Sequence, residues 1–249
     1  MHENNNLNKR LDQSGSFMAI SNLSFTLIDY LAITIFYFGW VGYAKFARRA
    51  ANNGMPSLMS VMVRYREDWW RGTIGRDLKI VDTNIILTLS NGATFFASTT
   101  ILILGALLAL LGTSDRAIEI LADLPFAVKN DTFAWDCKIV LLLTIFIYAF
   151  FKFTWSLRQH FFCSVMVGAA PGADANAQVR EEFVQRGARM ASTASNTFND
   201  GLRAYYFGLS VLPWFLNAWL FIVSTIVVIG ILYHREFKSD ALKAMLGRD

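Results

Sequence analysis

Charged residues are scarce in this chain of 249 residues. Asp, Glu, Lys and Arg make up 17% of it, whereas they make up about a quarter of a typical soluble domain. Apolar residues account for 54% and lie in long blocks instead of short alternating runs. This composition excludes an ordinary soluble domain and predicts an all-α integral membrane protein, because helices satisfy their own backbone hydrogen bonds in lipid.

Residues typical of catalytic and metal sites are also few, with three His and two Cys. The chain has no HExxH, GxSxG, P-loop or GxGxxG motif, and Cys137 and Cys163 belong to no CxxC pair. We therefore expect no catalytic residue, no metal and no cofactor, although an enzyme is not fully excluded. No RNA- or DNA-binding signature is present, so we expect no nucleic-acid partner.

Four apolar blocks are each longer than the ~20 residues that cross a bilayer. We predict a membrane domain over 23–233 with polar tails at 1–22 and 234–249. The first block is too long for the apolar part of a signal peptide and is expected to be retained. Pro213, inside the last block, either kinks that helix or marks where its lipid-spanning part begins. The predicted spans lie near 23–44, 83–111, 137–157 and 204–232.

Lys and Arg are concentrated in the loops that follow the first and third blocks. Cytoplasmic loops of membrane proteins carry such an excess. We therefore predict a multi-pass protein of the cell (inner) membrane with these basic loops in the cytoplasm. Four spans would then put both termini outside, which conflicts with four basic residues near the C-terminus, namely Arg235, Lys238, Lys243 and Arg248.

Both basic loops carry helical patterns, so amphipathic helical extensions are predicted on the cytoplasmic side. In the first loop, apolar residues recur every three or four positions from Met62 to Ile85. That helix either runs into the second span or lies at the lipid interface with its Trp residues inward. In the second loop, Asp174 or Asn176 can cap a helix over 177–199, and Gly187 belongs to a small face suited to close packing.

A polar cluster is predicted at the cytoplasmic boundary. Asp82 opens the second span, Arg158 closes the third and Arg203 opens the fourth, so the proposed topology puts all three at one height. Charges at this depth need partners. The cluster is either a salt-bridge network around Asp82 or a site for an anionic headgroup or small anion. Its other predicted members are Arg76, Lys79, Gln159 and Asn199.

The second span carries a polar face. Ser90, Thr94 and Ser98 are spaced by four residues, and Asn91 lies beside them. These side chains either serve helix packing, with hydroxyls bonded one turn back, or line a polar pathway made by an oligomer.

Asp29 is an acidic residue near the start of the first span. It is expected to pair with Lys138, which begins the third span at the same membrane face. The alternative is a proton relay.

Several long strings resemble a membrane family catalogued only as domain of unknown function 599. The resemblance covers roughly residues 25–230 and implies a multi-span bacterial or plant membrane protein, with no activity assigned. The strings are Arg76-Asp77-Leu78-Lys79-Ile80-Val81-Asp82, Phe95-Phe96-Ala97-Ser98-Thr99-Thr100, Lys152-Phe153-Thr154-Trp155-Ser156-Leu157-Arg158-Gln159 and Asn199-Asp200-Gly201-Leu202-Arg203-Ala204-Tyr205-Tyr206-Phe207.

Three functions stay open from the sequence. The first is a homo-oligomeric membrane protein that conducts or binds a small solute or ion. The second is a membrane scaffold or accessory subunit that binds anionic lipid or a partner protein. The third is a lipid-modifying enzyme that uses the boundary cluster.

Overall fold

The computed structural model describes residues 25–52, 55–122 and 131–247, and within these ranges all regular structure is helical. The predicted tail over 1–22 lies outside them. The helices are α1 (Leu27–Asn52), α2 (Leu58–Ile74), α3 (Ile80–Leu111), α4 (Ser114–Ala122), α5 (Thr132–Gly168), α6 (Ala177–Val211), α7 (Ala218–Phe237) and α8 (Asp240–Leu246), with a short 3-10 helix at Leu212–Phe215. Four of them, α1, α3, α5 and α7, are long and apolar enough to cross a membrane, which confirms the predicted fold class at this level.

The centre of the bundle is an antiparallel hairpin of α5 and α6. Their 37 and 35 residues correspond to helices of roughly 50–55 Å. Phe153 of α5 packs directly on Gly201 of α6, where a Cβ atom would lie 2.7 Å from the Phe153 ring. Farther along the same interface, Ser156 Oγ donates a 2.8 Å hydrogen bond to the Ala194 carbonyl. The two helices therefore approach closely through small residues, and the other helices pack around them.

The fourth apolar block is not one helix, which corrects the predicted span over 204–232. Residues up to Val211 belong to α6, the 3-10 helix follows with Pro213 near its start, and α7 begins after Asn217, whose side chain caps it. Pro213 has no N–H with which to continue an α-helix. The chain reverses here, because Ser224 Oγ bonds the Ser210 carbonyl at 2.6 Å. The apolar block over 204–232 is therefore two antiparallel segments.

Because of this reversal, the last helix runs opposite to the second half of α6, and not in the same direction as a single span over 204–232 requires. The start of α1 lies beside the α6–α7 turn, since Trp214 bonds Asp29. The end of α1 lies beside the end of α7, where Phe46 contacts Phe237 with ring centroids 5.7 Å apart. Helices α1 and α7 are thus parallel, so Leu27 and the C-terminal helix α8 lie at opposite ends of the bundle. The expectation that both termini share one side is wrong for the described part of the chain.

A second apolar cluster lies beyond the main bundle, where α2 packs against α6. Trp70 is fully buried there, and a Cβ atom on Gly187 would lie 2.2 Å from its ring. This confirms the predicted small face and shows that Trp70 points at α6, not at lipid. Helix α2 ends at Ile74, so it does not run on into α3. The predicted cap is also confirmed, because Asn176 accepts a hydrogen bond from Gln178 N–H.

Candidate anion-binding cavity

Asp200 is the centre of a charged cluster where α1, α5 and α6 meet. Its carboxylate lies 3.1 Å from Arg48 Nη2, 3.2 Å from Lys152 Nζ and 3.3 Å from Arg203 Nη2. Arg203 follows Asp200 by one helical turn, whereas Arg48 and Lys152 come from other helices. One mostly buried carboxylate is therefore surrounded by three cations.

A cavity of about 620 Å³ opens beside this cluster, between α1, α2, α6 and α7. That size is within the range of ordinary ligand pockets. Arg48, Asp200 and Arg203 of the cluster line it, and Arg235 and Glu236 of α7 add a third cation and a second carboxylate to the wall. Glu236 is engaged by α2, because its Oε1 accepts a 3.2 Å hydrogen bond from Met59 N–H. The remaining polar lining consists of Tyr43, Ser60, Thr193, Asn196, Thr197 and Asn199.

Arg203 is the unusual group in this wall. The residue is 9% exposed. Its Nη2 contacts Asp200, while its buried Nη1 has no hydrogen-bond partner among the residues that the structure describes. A buried guanidinium N–H that lacks an acceptor is costly. Arg203 lines the cavity, and guanidinium groups bind phosphate and carboxylate with two parallel hydrogen bonds.

The predicted boundary cluster is divided in two by the fold. Arg203 and Asn199 lie at the cavity, but Asp82 is fully buried in the first turn of α3. Phe96 of α3 stacks on Phe153, which also contacts Gly201 of α6. Asp82 precedes Phe96 by 14 residues, or about 21 Å of helix. The prediction that Asp82 and Arg203 share one height is therefore wrong.

The contacts of the Asp82 carboxylate stabilise the turn between α2 and α3. Its Oδ1 forms an ion pair with Arg76 and accepts hydrogen bonds from Trp69 Nε1 at 2.7 Å and Thr73 Oγ1 at 2.8 Å. Lys79 Nζ donates to the Arg76 carbonyl at 2.8 Å and to the Thr73 carbonyl. The salt-bridge interpretation fits Asp82 and Arg76, whereas Lys79 binds backbone carbonyl groups instead.

The two remaining predicted members lie on α5, outside the cavity wall. Arg158 is exposed, with its guanidinium 5.7 Å from the centre of the Phe162 ring. Gln159 is buried and its Oε1 has no hydrogen-bond partner. Neither residue lines the cavity.

The four residues of the predicted polar face of α3 do not share one environment. Ser90 is buried, whereas Asn91, Thr94 and Ser98 are exposed. Thr94 Oγ1 bonds the Ser90 carbonyl one turn back at 3.0 Å, as the packing interpretation expects. A polar pathway along the exposed residues would require another protein surface beside α3.

Asp29 and Lys138 meet at the opposite end of the bundle, around Trp214. The Trp214 indole donates a 2.7 Å hydrogen bond to Asp29 Oδ1. Lys138 Nζ donates a 3.1 Å hydrogen bond to the Trp214 carbonyl. Thr26 also donates to Asp29, from its hydroxyl at 2.7 Å. These contacts favour a structural role for Asp29 over a proton relay.

The residues that sequence reasoning missed are Asp200, Arg48, Lys152 and Arg235. The pair Asp200 and Arg203 has the three-residue spacing of a helical ion pair, which is the one local signal available. Arg48 lies 152 positions from Asp200 along the chain, so no local pattern brings these two together.

Comparison with known proteins gives one match. The model of a family described as "Protein of unknown function, DUF599" matches residues 31–241. No curated protein and no solved structure matches the chain.

Proposed function

Because the chain belongs to the DUF599 family of proteins of unknown function, we propose its function from the geometry of its cavity: it is a membrane protein that binds an anionic group against Arg203. The ligand chemistry is a phosphate, either on a lipid headgroup or as a free anion. The observation that carries the proposal is Arg203, which lines the cavity and whose buried Nη1 has no hydrogen-bond partner among the described residues.

The charge balance supports an anion over a cation. Four cations, Arg48, Lys152, Arg203 and Arg235, lie at or beside the cavity with two carboxylates, Asp200 and Glu236. The excess of positive charge near a membrane favours phosphate groups. Arginine is also better suited than lysine to hold phosphate in a fixed orientation.

The exposed apolar surface supports a position of this site near one membrane boundary. On α1, large exposed apolar residues run from Leu27 to Phe46 and end just before Arg48. This stretch is about 29 Å of helix, close to the ~30 Å hydrocarbon core. On α7, the exposed apolar stretch ends at Tyr233, just before Arg235. A cavity at this level is within reach of lipid headgroups.

We further propose that this end faces the cytoplasm of the cell membrane, with five crossings instead of four. The second half of α6 runs beside α5 to the α6–α7 turn and supplies the added crossing. The C-terminal residues Lys238 and Lys243 then join the basic loops on one side. This removes the conflict in Lys and Arg distribution that a four-span topology creates.

The test uses the full-length protein in detergent and in nanodiscs. Thermal unfolding is measured with inorganic phosphate, with phosphatidylglycerol and with phosphatidylcholine. Stabilisation by phosphate alone indicates a free anion, whereas stabilisation only by phosphatidylglycerol indicates a lipid headgroup. Either result supports the proposal. No stabilisation by either probe would overturn it.

The variants Arg203→Gln and Arg48→Gln locate the site. Each is expected to reduce the affinity for the effective probe at least tenfold, because one charged hydrogen bond contributes about 1.5–3 kcal/mol. Arg158→Gln is the matched control, since Arg158 is exposed and outside the cavity wall. Equal losses in Arg158→Gln and Arg48→Gln would show that binding is a general surface effect.

The other candidate functions have less support. The enzyme hypothesis used the boundary cluster, whose one carboxylate, Asp82, is buried away from the cavity. At the cavity itself Asp200 has both of its oxygens engaged by cations. Conduction along α3 requires an oligomer, because the polar residues of α3 are away from the cavity. A scaffold role is compatible with lipid binding at the cavity and would follow from that binding.

A further inference from the structure

Helix α3 packs through one face only. The residues on this face that contact α5 and α6 are buried, among them Ala93, Ala97 and Thr100. On the opposite face Phe95 is 65% exposed and Leu102 is 74% exposed. This outward face of α3 is covered by no other helix of the described chain.

The outward face carries a strict seven-residue repeat of polar or small residues. Asn84, Asn91, Ser98 and Gly105 follow one another at this spacing, over about 32 Å of helix. A repeat of seven residues keeps one seam facing a partner helix that crosses at a shallow left-handed angle. Phe95 follows Asn91 by one turn, and Leu102 follows Ser98 by one turn. These two apolar residues form the second row of such a seam.

The surroundings of Asn91 favour a protein partner, whether lipid or water would otherwise cover this face. Its neighbours one turn before and after are Leu87 and Phe95, which are 55% and 65% exposed. If lipid covers this face, the Asn91 amide is unsatisfied. If water covers it, the apolar neighbours form a hydrophobic stripe. A second helix with the same seam resolves both problems.

We infer that α3 pairs with α3 of a second copy of this chain in a parallel, two-fold symmetric dimer. Two copies in one membrane share a topology, so their two-fold axis is parallel to the membrane normal and identical residues face each other. An amide contains one acceptor and one donor group, so Asn91 is complementary to itself. Ser98 and Gly105 let the helices approach closely.

Cysteine cross-linking in native membranes tests this dimer. Cys137 and Cys163 are replaced by Ala, and single cysteines are introduced as Ser98→Cys or Thr144→Cys. Thr144 is the matched control, because it is an exposed polar residue on α5. Ser98→Cys is expected to give a species of twice 28.1 kDa, and Thr144→Cys is expected to stay monomeric.

Three outcomes would overturn the inference. The first is no Ser98→Cys dimer, the second is equal cross-linking of both variants, and the third is a Ser98→Cys adduct with a different protein. As a second measurement, the Asn84→Leu and Asn91→Leu double variant should weaken dimerisation in detergent roughly tenfold or more. An unchanged dissociation constant in a folded double variant would also contradict the pairing of these amides.

Discussion

The Trp214 indole donates a 2.7 Å hydrogen bond to Asp29 Oδ1, across 185 positions of the chain. This bond ties the start of α1 to the turn between α6 and α7. Lys138 Nζ donates to the Trp214 carbonyl at the same point, so Trp214 connects the starts of α1 and α5 with the turn between α6 and α7. The junction therefore brings the starts of α1, α5 and α7 to one end of the bundle.

Replacing Trp214 by Phe should destabilise the protein by about 1–3 kcal/mol, because Asp29 loses a donor in a partly buried position. The measurement is the unfolding midpoint in detergent. Trp219→Phe is the control, since Trp219 is 56% exposed and should unfold like the wild type. Equal midpoints for Trp214→Phe and Trp219→Phe would show that the hydrogen bond does not stabilise the junction.

The parallel arrangement of α1 and α7 predicts that Leu27 and Lys243 are reached from opposite sides of the membrane. Single cysteines at these positions, in a chain without its own cysteines, are labelled with a membrane-impermeant maleimide in sealed vesicles. A third cysteine at Arg64 on α2 should label from the same side as Lys243→Cys. Labelling of Leu27→Cys and Lys243→Cys from one side would restore the four-span topology.

Asp82→Asn should destabilise the α2–α3 turn without weakening anion binding. The variant leaves Arg76 without its ion pair, but the Arg76 side chain is 37% exposed and can reach water. The expected loss is therefore about 2 kcal/mol, below the 3–5 kcal/mol typical of a fully buried pair. Thermal unfolding and probe affinity are measured on the same folded sample. If this variant also loses affinity for the probe, Asp82 contributes to binding at the cavity, contrary to the prediction.

Asp200→Asn should increase the affinity for the anionic probe severalfold. The Asp200 carboxylate competes with a bound anion for the guanidinium groups of Arg48 and Arg203, and removing its charge frees them. Titration of the folded variant with the effective probe tests this. Weaker binding would mean that Asp200 positions these arginines more than it competes with the ligand.

Gly187→Ala should loosen α2 from α6, at a cost of about 1–3 kcal/mol, because the added methyl group meets the Trp70 ring. Gly92→Ala is the matched control, since no atom lies within 4 Å of the position its Cβ would occupy. It should be neutral or slightly stabilising in a helix interior. Hydrogen exchange of α2 reports the difference, and equal protection in both variants would contradict the close packing.

The sequence by itself determined the elements with strong local signals. Long apolar blocks predicted four membrane-spanning helices, and a period of three to four residues predicted α2. Asn176 predicted the start of α6, since its side chain can replace a missing backbone acceptor. Each of these signals comes from neighbouring residues and the geometry of a single helix, so the fold class could be read directly.

Only the tertiary structure decided how these helices are arranged. Hydropathy could not separate α6 from α7, because both sides of Pro213 are apolar, and the reversal depends on contacts such as Ser224 with Ser210. The cluster at Asp200 likewise depends on Arg48, 152 positions away. Charge pairs of this kind form when packed helices align distant residues, and that alignment is a property of the whole bundle.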